Sequence, residues 1–550
     1  MNIRAVTLGV AFAAITSAAS AASRANYEIV PLPLSVEAGS GTPFMLTPDS
    51  KIQYPQSDEA MHRNAVFLSG YINDNLGFAP EVEAVEKPSK RKRDGAGCIT
   101  LSLSDKIADP EGYELKAGAA GVEVVGRTPA GVFYGVQTLR KSLPVMPRDS
   151  VAAAVELPPV AIADQPRFHY RGMLLDCGRY FLPVEAVKQF VDLMVMHNMN
   201  TFHWHLTDDQ GWRLELKRHP EITEKGSMRK ETICGRVAGV YDGTPHGGFY
   251  SQEDVKDILK YCADRHVTVI PEIDMPGHTV SLLASHPEVG CVGGHYDVST
   301  HWGPHIDILC AGKEATFKLV EEILDEVVEL FPSHYINIGG DEAWKQRWEV
   351  CPDCQRKIKE LGLETSGGVT AEHKLQGYFT KRVEKMLNDR GRKIIGWEEI
   401  FDAGVNPSTT IMAWHGFDYI VNGANSGHDV IAGSSEYNYL DYYQKQNTFE
   451  EPFLIGKYLP LSKTYQYEPM DERVLPENRH HVIGVQGFVW GEFIDNANLM
   501  TYQMLPRMAA VSESQWIQPD QKLYHKFLAR LGRLTPLYDR YGYPWCRGWE

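Results

Sequence analysis

From Arg167 onward the chain repeats one unit, a short apolar run of strand character followed by a longer helical pattern, and this alternation leaves few architectures open. The strand candidates fall at 172–175, 201–206, 267–273, 335–338, 393–395, 410–413, 429–432 and 483–488. Parallel strands joined by helices bury both faces of their sheet. Eight of them over this length predict an α/β fold, a (β/α)8 barrel spanning 161–515, with 516–550 as a C-terminal helical tail.

The stretch before the barrel has a different rhythm. Short strand-like runs at 99–103, 112–116 and 121–125 are separated by turn residues, and a helix-like segment follows at 132–143. These predict a smaller α+β domain over 23–160, ended by Pro158-Pro159 and Gln165-Pro166. Two domains also suit a chain of 550 residues, which exceeds the size at which one core stops growing.

Charge narrows the partners. A formal net charge of −16 repels phosphate backbones, and the one basic cluster, Lys90-Arg91-Lys92-Arg93, is short and lacks interleaved aromatics. It reads as a solvated loop, and no nucleic-acid partner is expected. Residues 1–22 place Arg4 ahead of an apolar run ending in small residues, the pattern of a cleaved export signal, which predicts a secreted or periplasmic protein. No cysteine sits near the cleavage region, against a lipid anchor, and no later stretch reaches about 18 uninterrupted apolar residues, so no membrane span is expected. Nine cysteines permit disulfides but leave one thiol over, and the pairing is open. Cys351-Pro-Asp-Cys354 has metal-knuckle spacing without a second CxxC or a His pair nearby in sequence, so a local disulfide or plain thiols are expected rather than zinc. The sequence allows a homodimer without specifying one.

In a barrel of this kind the chemistry gathers at the C-terminal ends of the strands. Here those ends carry Asp176 and Arg179, Asp208-Asp209, Asp274 and His278, Asp341-Glu342, Trp397, Trp414, the 436–441 segment with Tyr439 and Asp441, and Trp490 to Glu492. The strongest local signal is YINIGGDE, 335–342, an apolar strand running into two glycines and then two carboxylates. Acids at a helix N-terminus would look the same. Neighbouring residues point in different directions, however, so this pair cannot easily straddle a glycosidic bond as nucleophile and acid. One carboxyl can protonate a leaving oxygen while the other orients a substrate group that acts as the nucleophile. Trp397, Trp414 and Trp490 suit the flat face of a sugar, although tryptophans also fill cores. Arg179, Asp208 and Glu492 suit hydroxyls, although each could be a structural ion pair. His278 reads as a proton relay or as a structural histidine.

Taken together these segments resemble glycoside hydrolase family 20, the β-N-acetylhexosaminidases, over about 27–512. The carriers are GRTPAG (126–131), LLDCGRYF (174–181), FHWHLTDDQGWR (202–213), PEIDMPGH (271–278), INIGGDE (336–342), GWEE (396–399), Tyr439-Leu-Asp441 and Trp490-Gly-Glu492. The resemblance implies removal of terminal N-acetylhexosamine from the non-reducing end of oligosaccharides or glycoconjugates. The implied mechanism is retaining and substrate-assisted, with no cofactor and no catalytic metal. It implies that Asp341 holds the acetamide N–H and that Glu342 is the acid and then the base. Tyr439 would bond the acetamide oxygen, the three tryptophans would line the pocket, and Arg179, Asp208, Asp441 and Glu492 would bind the sugar. His278, with Asp208 and Asp274, would form the polar network around Glu342. Members commonly carry His where this chain has Asn337, which bears on the pH optimum. A disaccharide-releasing enzyme of the lacto-N-biosidase type is the other reading within the family. Outside it stand a metallohydrolase built on His203-x-His205 and a sugar-binding protein without turnover.

Overall fold

The computed structural model describes residues 23–88, 97–236 and 239–548. The expected export signal and the Lys90–Arg93 cluster lie outside the described residues.

Eight parallel strands close into a barrel: β1 (Tyr170–Asp176), β2 (Thr201–His205), β3 (Thr268–Glu272), β4 (Tyr335–Asn337), β5 (Lys393–Trp397), β6 (Thr410–Ala413), β7 (Val430–Ala432) and β8 (Val482–Val489), with β8 pairing back onto β1. Each expected strand is present. The order β1 to β8 is the sequence order, so every connection crosses to its neighbour through an outer layer, including the helices Val184–Met196, Gln252–Ala263, Glu314–Leu330 and Ala371–Asp389. Register places Leu174 of β1 beside His203 of β2 and Phe488 of β8. Burial on both faces explains why the strands read as continuous apolar runs.

The first domain is a seven-stranded mixed sheet ordered Ser35–Ala38, Val160–Asp164, Tyr113–Gly118, Gly121–Gly126, Cys98–Leu103, Lys51–Pro55 and Glu81–Val85. It is backed by the helices Glu59–Leu76 and Pro129–Ser142. The first of these carries clear stop signals: Asp58 accepts the Met61 N–H, and Gly77 takes a left-handed φ of 82°. The strand Val160–Asp164 pairs with both Ser35–Ala38 and Tyr113–Gly118, so this sheet runs past the boundary expected at 160, and Pro158-Pro159 is a connection within the domain, between the strands Val155–Leu157 and Val160–Asp164.

Two buried groups bolt the domains together. Arg171 on β1 donates to both carboxylate oxygens of Glu111 at 2.7 and 3.0 Å, to the Tyr134 hydroxyl and to the carbonyls of Asn198 and Phe168. Trp516, at the end of the helix Arg507–Trp516 that follows β8, inserts into the first domain's core and donates to Asp164. The helix Tyr524–Tyr541 then packs Phe527, Leu531, Leu534 and Tyr538 against the barrel. It reaches the first domain through Tyr541, which donates to Asp74, and Arg540, which donates to the Met146 carbonyl.

The cysteine expectation needs correction. Cys351 and Cys354 do not stand alone: Cys291 and Cys310 converge on them, with all four Sγ atoms within 4.8 Å of one another. Sequence spacing hides this, because the partners lie 41 to 63 residues away.

Burial alone would raise the Glu111 pKa, but Arg171 and His169 overcome it and hold the carboxyl well below its ordinary 4.5. Stability from this group is therefore fully present above about pH 4.5 and is lost as the pH falls below it. Arg171→Met, which removes the main countercharge of a largely buried carboxylate, is expected to cost about 3 kcal/mol in a denaturant titration at neutral pH. Adding Glu111→Gln is expected to recover part of that loss, and strict additivity of the two changes would contradict the bolt.

Candidate active site

The site is built upward from inside the barrel. Near its floor Tyr170 donates to Gln486 (2.6 Å), Gln486 donates to His203 Nδ1 (2.9 Å), and His203 Nε2 reaches Glu272 (3.0 Å). Glu272 at the end of β3 is fully buried and also accepts the Trp397 indole N–H at 2.8 Å and an N–H from His205. His205 donates from its other nitrogen to Asp208 at 3.0 Å, so it sits as an imidazolium between two carboxylates. Burial opposes that charge, but Glu272 and Asp208 raise its pKa well above the ordinary value. Both histidines of His203-x-His205 thus have their nitrogens engaged inside the protein, which removes the ligand set on which a metallohydrolase reading depended.

The next tier carries the acid pair. Asn337 ends β4, accepts the Gly339 N–H at 2.9 Å and stands 3.0 Å from His203. Gly339 and Gly340 take φ of 64° and 100°, and a Cβ on Gly339 would fall 1.8 Å from an Asp274 oxygen. Only glycine passes there. Glu342 itself has φ of 43°, a conformation that costs a non-glycine residue about 1 kcal/mol. Asp341 is largely buried, and its Oδ1 has no partner in the protein. Glu342 is 38% exposed. His278 Nε2 lies 3.7 Å from Asp341 and 3.5 Å from Glu342, while its Nδ1 faces Asp208 and Asp209, each at 3.3 Å.

These contacts set the protonation states. Burial works against a charged His278, but Asp208, Asp209 and Glu342 lift its pKa well above the ordinary value. His278, 3.5 Å away, lowers the pKa of Glu342. Burial raises Asp341 to about 6, with the neighbouring Glu342 charge adding to the shift against His278. The pair therefore sits in two different environments, which is how two carboxyls come to play different parts.

Asp341 and Glu342 border a cavity of about 360 Å³. Trp397, Trp414, Trp490 and Tyr439 give it aromatic walls, with Trp414 and Tyr439 nearly parallel at 6.1 Å and Trp397 and Trp490 5.6 Å apart. Arg179, Asp441 and Glu492 supply its polar end. Arg179 is fixed by Asp176 at 3.2 Å and Asp208 at 2.9 Å, and its guanidinium lies over the Trp490 ring. Asp441 is buried with neither oxygen bonded inside the protein, and burial together with Glu492 pushes its pKa well up.

Nine of the eleven residues singled out from sequence therefore meet at one cavity. The two exceptions are Asp208 and His278. Asp208 is fully buried behind the wall, bonded to Arg179, His205 and His278, so it orients Arg179 rather than facing the cavity. His278 stands behind the acid pair. Sequence reasoning missed Arg236, Tyr442, Ile455 and Lys457, which enter the lining from loops with no motif of their own. It also passed over Glu399, which accepts the Trp414 indole N–H at 3.2 Å and is raised to about 8 by burial and then by Asp341; its place in GWEE was the available signal.

Comparison with known proteins agrees with this geometry. The description "Glycosyl hydrolase family 20, domain 2" matches residues 26–165, and "Glycosyl hydrolase family 20, catalytic domain" matches 168–519. A beta-hexosaminidase of Porphyromonas gingivalis is 38% identical over 94% of this chain, which spans 63% of that protein. A beta-hexosaminidase of Akkermansia muciniphila is 32% identical over 86% of this chain and 94% of its own length. The solved structure of an exo beta-N-acetylglucosaminidase from Vibrio harveyi with N-acetylglucosamine aligns at a TM-score of 0.81 and 28% identity, covering 96% of this chain and 80% of that one. On the match of both domain types along most of its length, the chain belongs to glycosyl hydrolase family 20.

Proposed function

We propose that this protein is an exo-acting β-N-acetylhexosaminidase that releases terminal N-acetylhexosamine from glycans by a retaining, substrate-assisted route. The observation that carries the reading is the unpartnered Asp341 Oδ1 beside the Glu342 carboxyl at the rim of an aromatic cavity. A volume of about 360 Å³ is at the small end for ligand pockets and favours a single terminal sugar. The Akkermansia and Vibrio harveyi relatives bear names of the same activity.

In this mechanism the ionised Asp341 accepts the acetamide N–H, and Tyr439 donates to the acetamide oxygen and aims it at the anomeric carbon. Glu342 passes its proton to the glycosidic oxygen as that bond breaks and the carbonyl oxygen bonds to the same carbon. Water then attacks the anomeric carbon, giving a proton to Glu342 as the bond to the acetamide oxygen breaks, and the original anomeric configuration returns. Bound substrate covers the exposed part of Glu342, and loss of water raises its pKa toward that of a proton donor. Charged His278 stabilises the carboxylate left after proton transfer. Asp441 and Glu492 accept sugar hydroxyls and Arg179 donates to them. Export to the periplasm or beyond is part of the same proposal, supported by the composition of residues 1–22.

The test is hydrolysis of an aryl N-acetyl-β-glucosaminide. Glu342→Gln is expected to lose about 10²- to 10⁴-fold in kcat, the range of a removed general acid. Asp341→Asn should lose kcat as well, and the plain aryl β-glucoside should not be cleaved by wild type. Equal cleavage of both sugars, or full activity in either variant, would remove the substrate-assisted assignment. Because Asp341 must be ionised and its pKa lies at about 6, kcat/KM is expected to fall as the pH drops below about 6. An acid limb unchanged in Asp341→Asn would assign that ionisation to another group. Asp208→Asn, acting through Arg179, should raise KM for the monosaccharide substrate.

A further inference from the structure

The four thiols of Cys291, Cys310, Cys351 and Cys354 form a cluster outside the sugar pocket that the reaction does not use. Cys310 Sγ lies 3.5 Å from Cys354 and 3.7 Å from Cys351, and Cys291 lies 3.8 Å from Cys354. These are the separations of ligands around one ion. A tetrahedral site with zinc–sulfur bonds of about 2.3 Å has sulfur–sulfur edges of about 3.8 Å, whereas a disulfide would bring two sulfurs to about 2 Å. Cys310 and Cys354 each have two near neighbours, and all four sulfurs lie within 4.8 Å of one another. Two disulfides would divide it into couples.

The backbone is arranged for the same end. Cys351 and Cys354 stand one turn apart at the start of the helix Pro352–Glu360. Cys291 and Cys310 come from two strands of chain bridged antiparallel at Gly290 and Leu309. Gly312 lets these segments meet, since a Cβ there would fall 2.2 Å from the Asp353 backbone. Cys310, Cys351 and Cys354 are buried, and Arg356 bonds the Gly312 carbonyl, which places a cation beside a cluster that would be negative with metal bound. Four thiolates select a soft ion over calcium or magnesium.

We propose that Cys291, Cys310, Cys351 and Cys354 bind one structural zinc ion, which locks the loop after β3 to the loop after β4. Both loops feed the active site. Leu309 donates its N–H to the Pro276 carbonyl, two residues from His278, and accepts the Trp348 indole N–H from the segment that follows Glu342. The ion thereby positions the acid and the histidine behind it without touching substrate.

Elemental analysis of the purified full chain, prepared without added metal or chelator, is expected to give one zinc per chain. Titration of wild type with an organomercurial is expected to release that zinc into a chromophoric indicator as the four thiols react. Cobalt exchanged into the protein should show thiolate charge transfer and the d–d bands of a tetrahedral site. Cys354→Ser should lose the metal, lower the Tm by on the order of 5 °C and reduce kcat more than it changes KM. Cys234→Ser, exposed and outside the cluster, should keep both zinc and activity. Absence of stoichiometric zinc, iron in its place, or a non-reduced mass showing disulfides among these cysteines would overturn the proposal.

Discussion

Everything above the barrel floor depends on the charge of Glu272. An unpaired carboxylate in such a place would cost several kcal/mol, so it is surrounded by donors from His203, His205 and Trp397. Those donors come from β2 and β5, which locks the directions of two strand ends and of one pocket wall. His205 hands the alternation of charge on to Asp208, which fixes Arg179 and His278 in turn. The sugar-facing groups are the last members of this column of alternating charge.

The column also explains the part that Asn337 plays at the end of β4. Its amide holds the Gly339 N–H and borders His203, so its work is to shape the turn before the acid pair. No proton needs to reside there, because His278 supplies the ionisable imidazole next to Glu342.

The barrel and the acid pair were legible because the strands are buried on both sides and are followed, at or just past their ends, by polar or aromatic residues, a local pattern that sequence order preserves. Burial order was not legible. Asp208 and Arg179 look equally suited to bind hydroxyls on residue type, but the fold buries the first behind the second. The helix Glu59–Leu76 was missed although Asp58 and Gly77 mark its ends, because its mixed polar and apolar composition weakens the helical period. The cysteine cluster was invisible for a topological reason: its four members come from loops after two successive barrel strands, and only the parallel pairing of β3 with β4 brings those loops side by side.

The helix Tyr524–Tyr541 touches the barrel and the first domain at once, against partners made hundreds of residues earlier. Trp516, just before it, completes the first domain's core. A nascent chain can pair its barrel strands in order as they emerge, yet neither core is sealed until these last segments leave the ribosome. At translation rates of about 5–20 residues per second, the first domain's sheet waits roughly 20 to 70 s for Trp516. During that interval its apolar surface is an invitation to chaperones, and a message truncated only slightly short would yield a protein with every catalytic residue present and two unsealed cores.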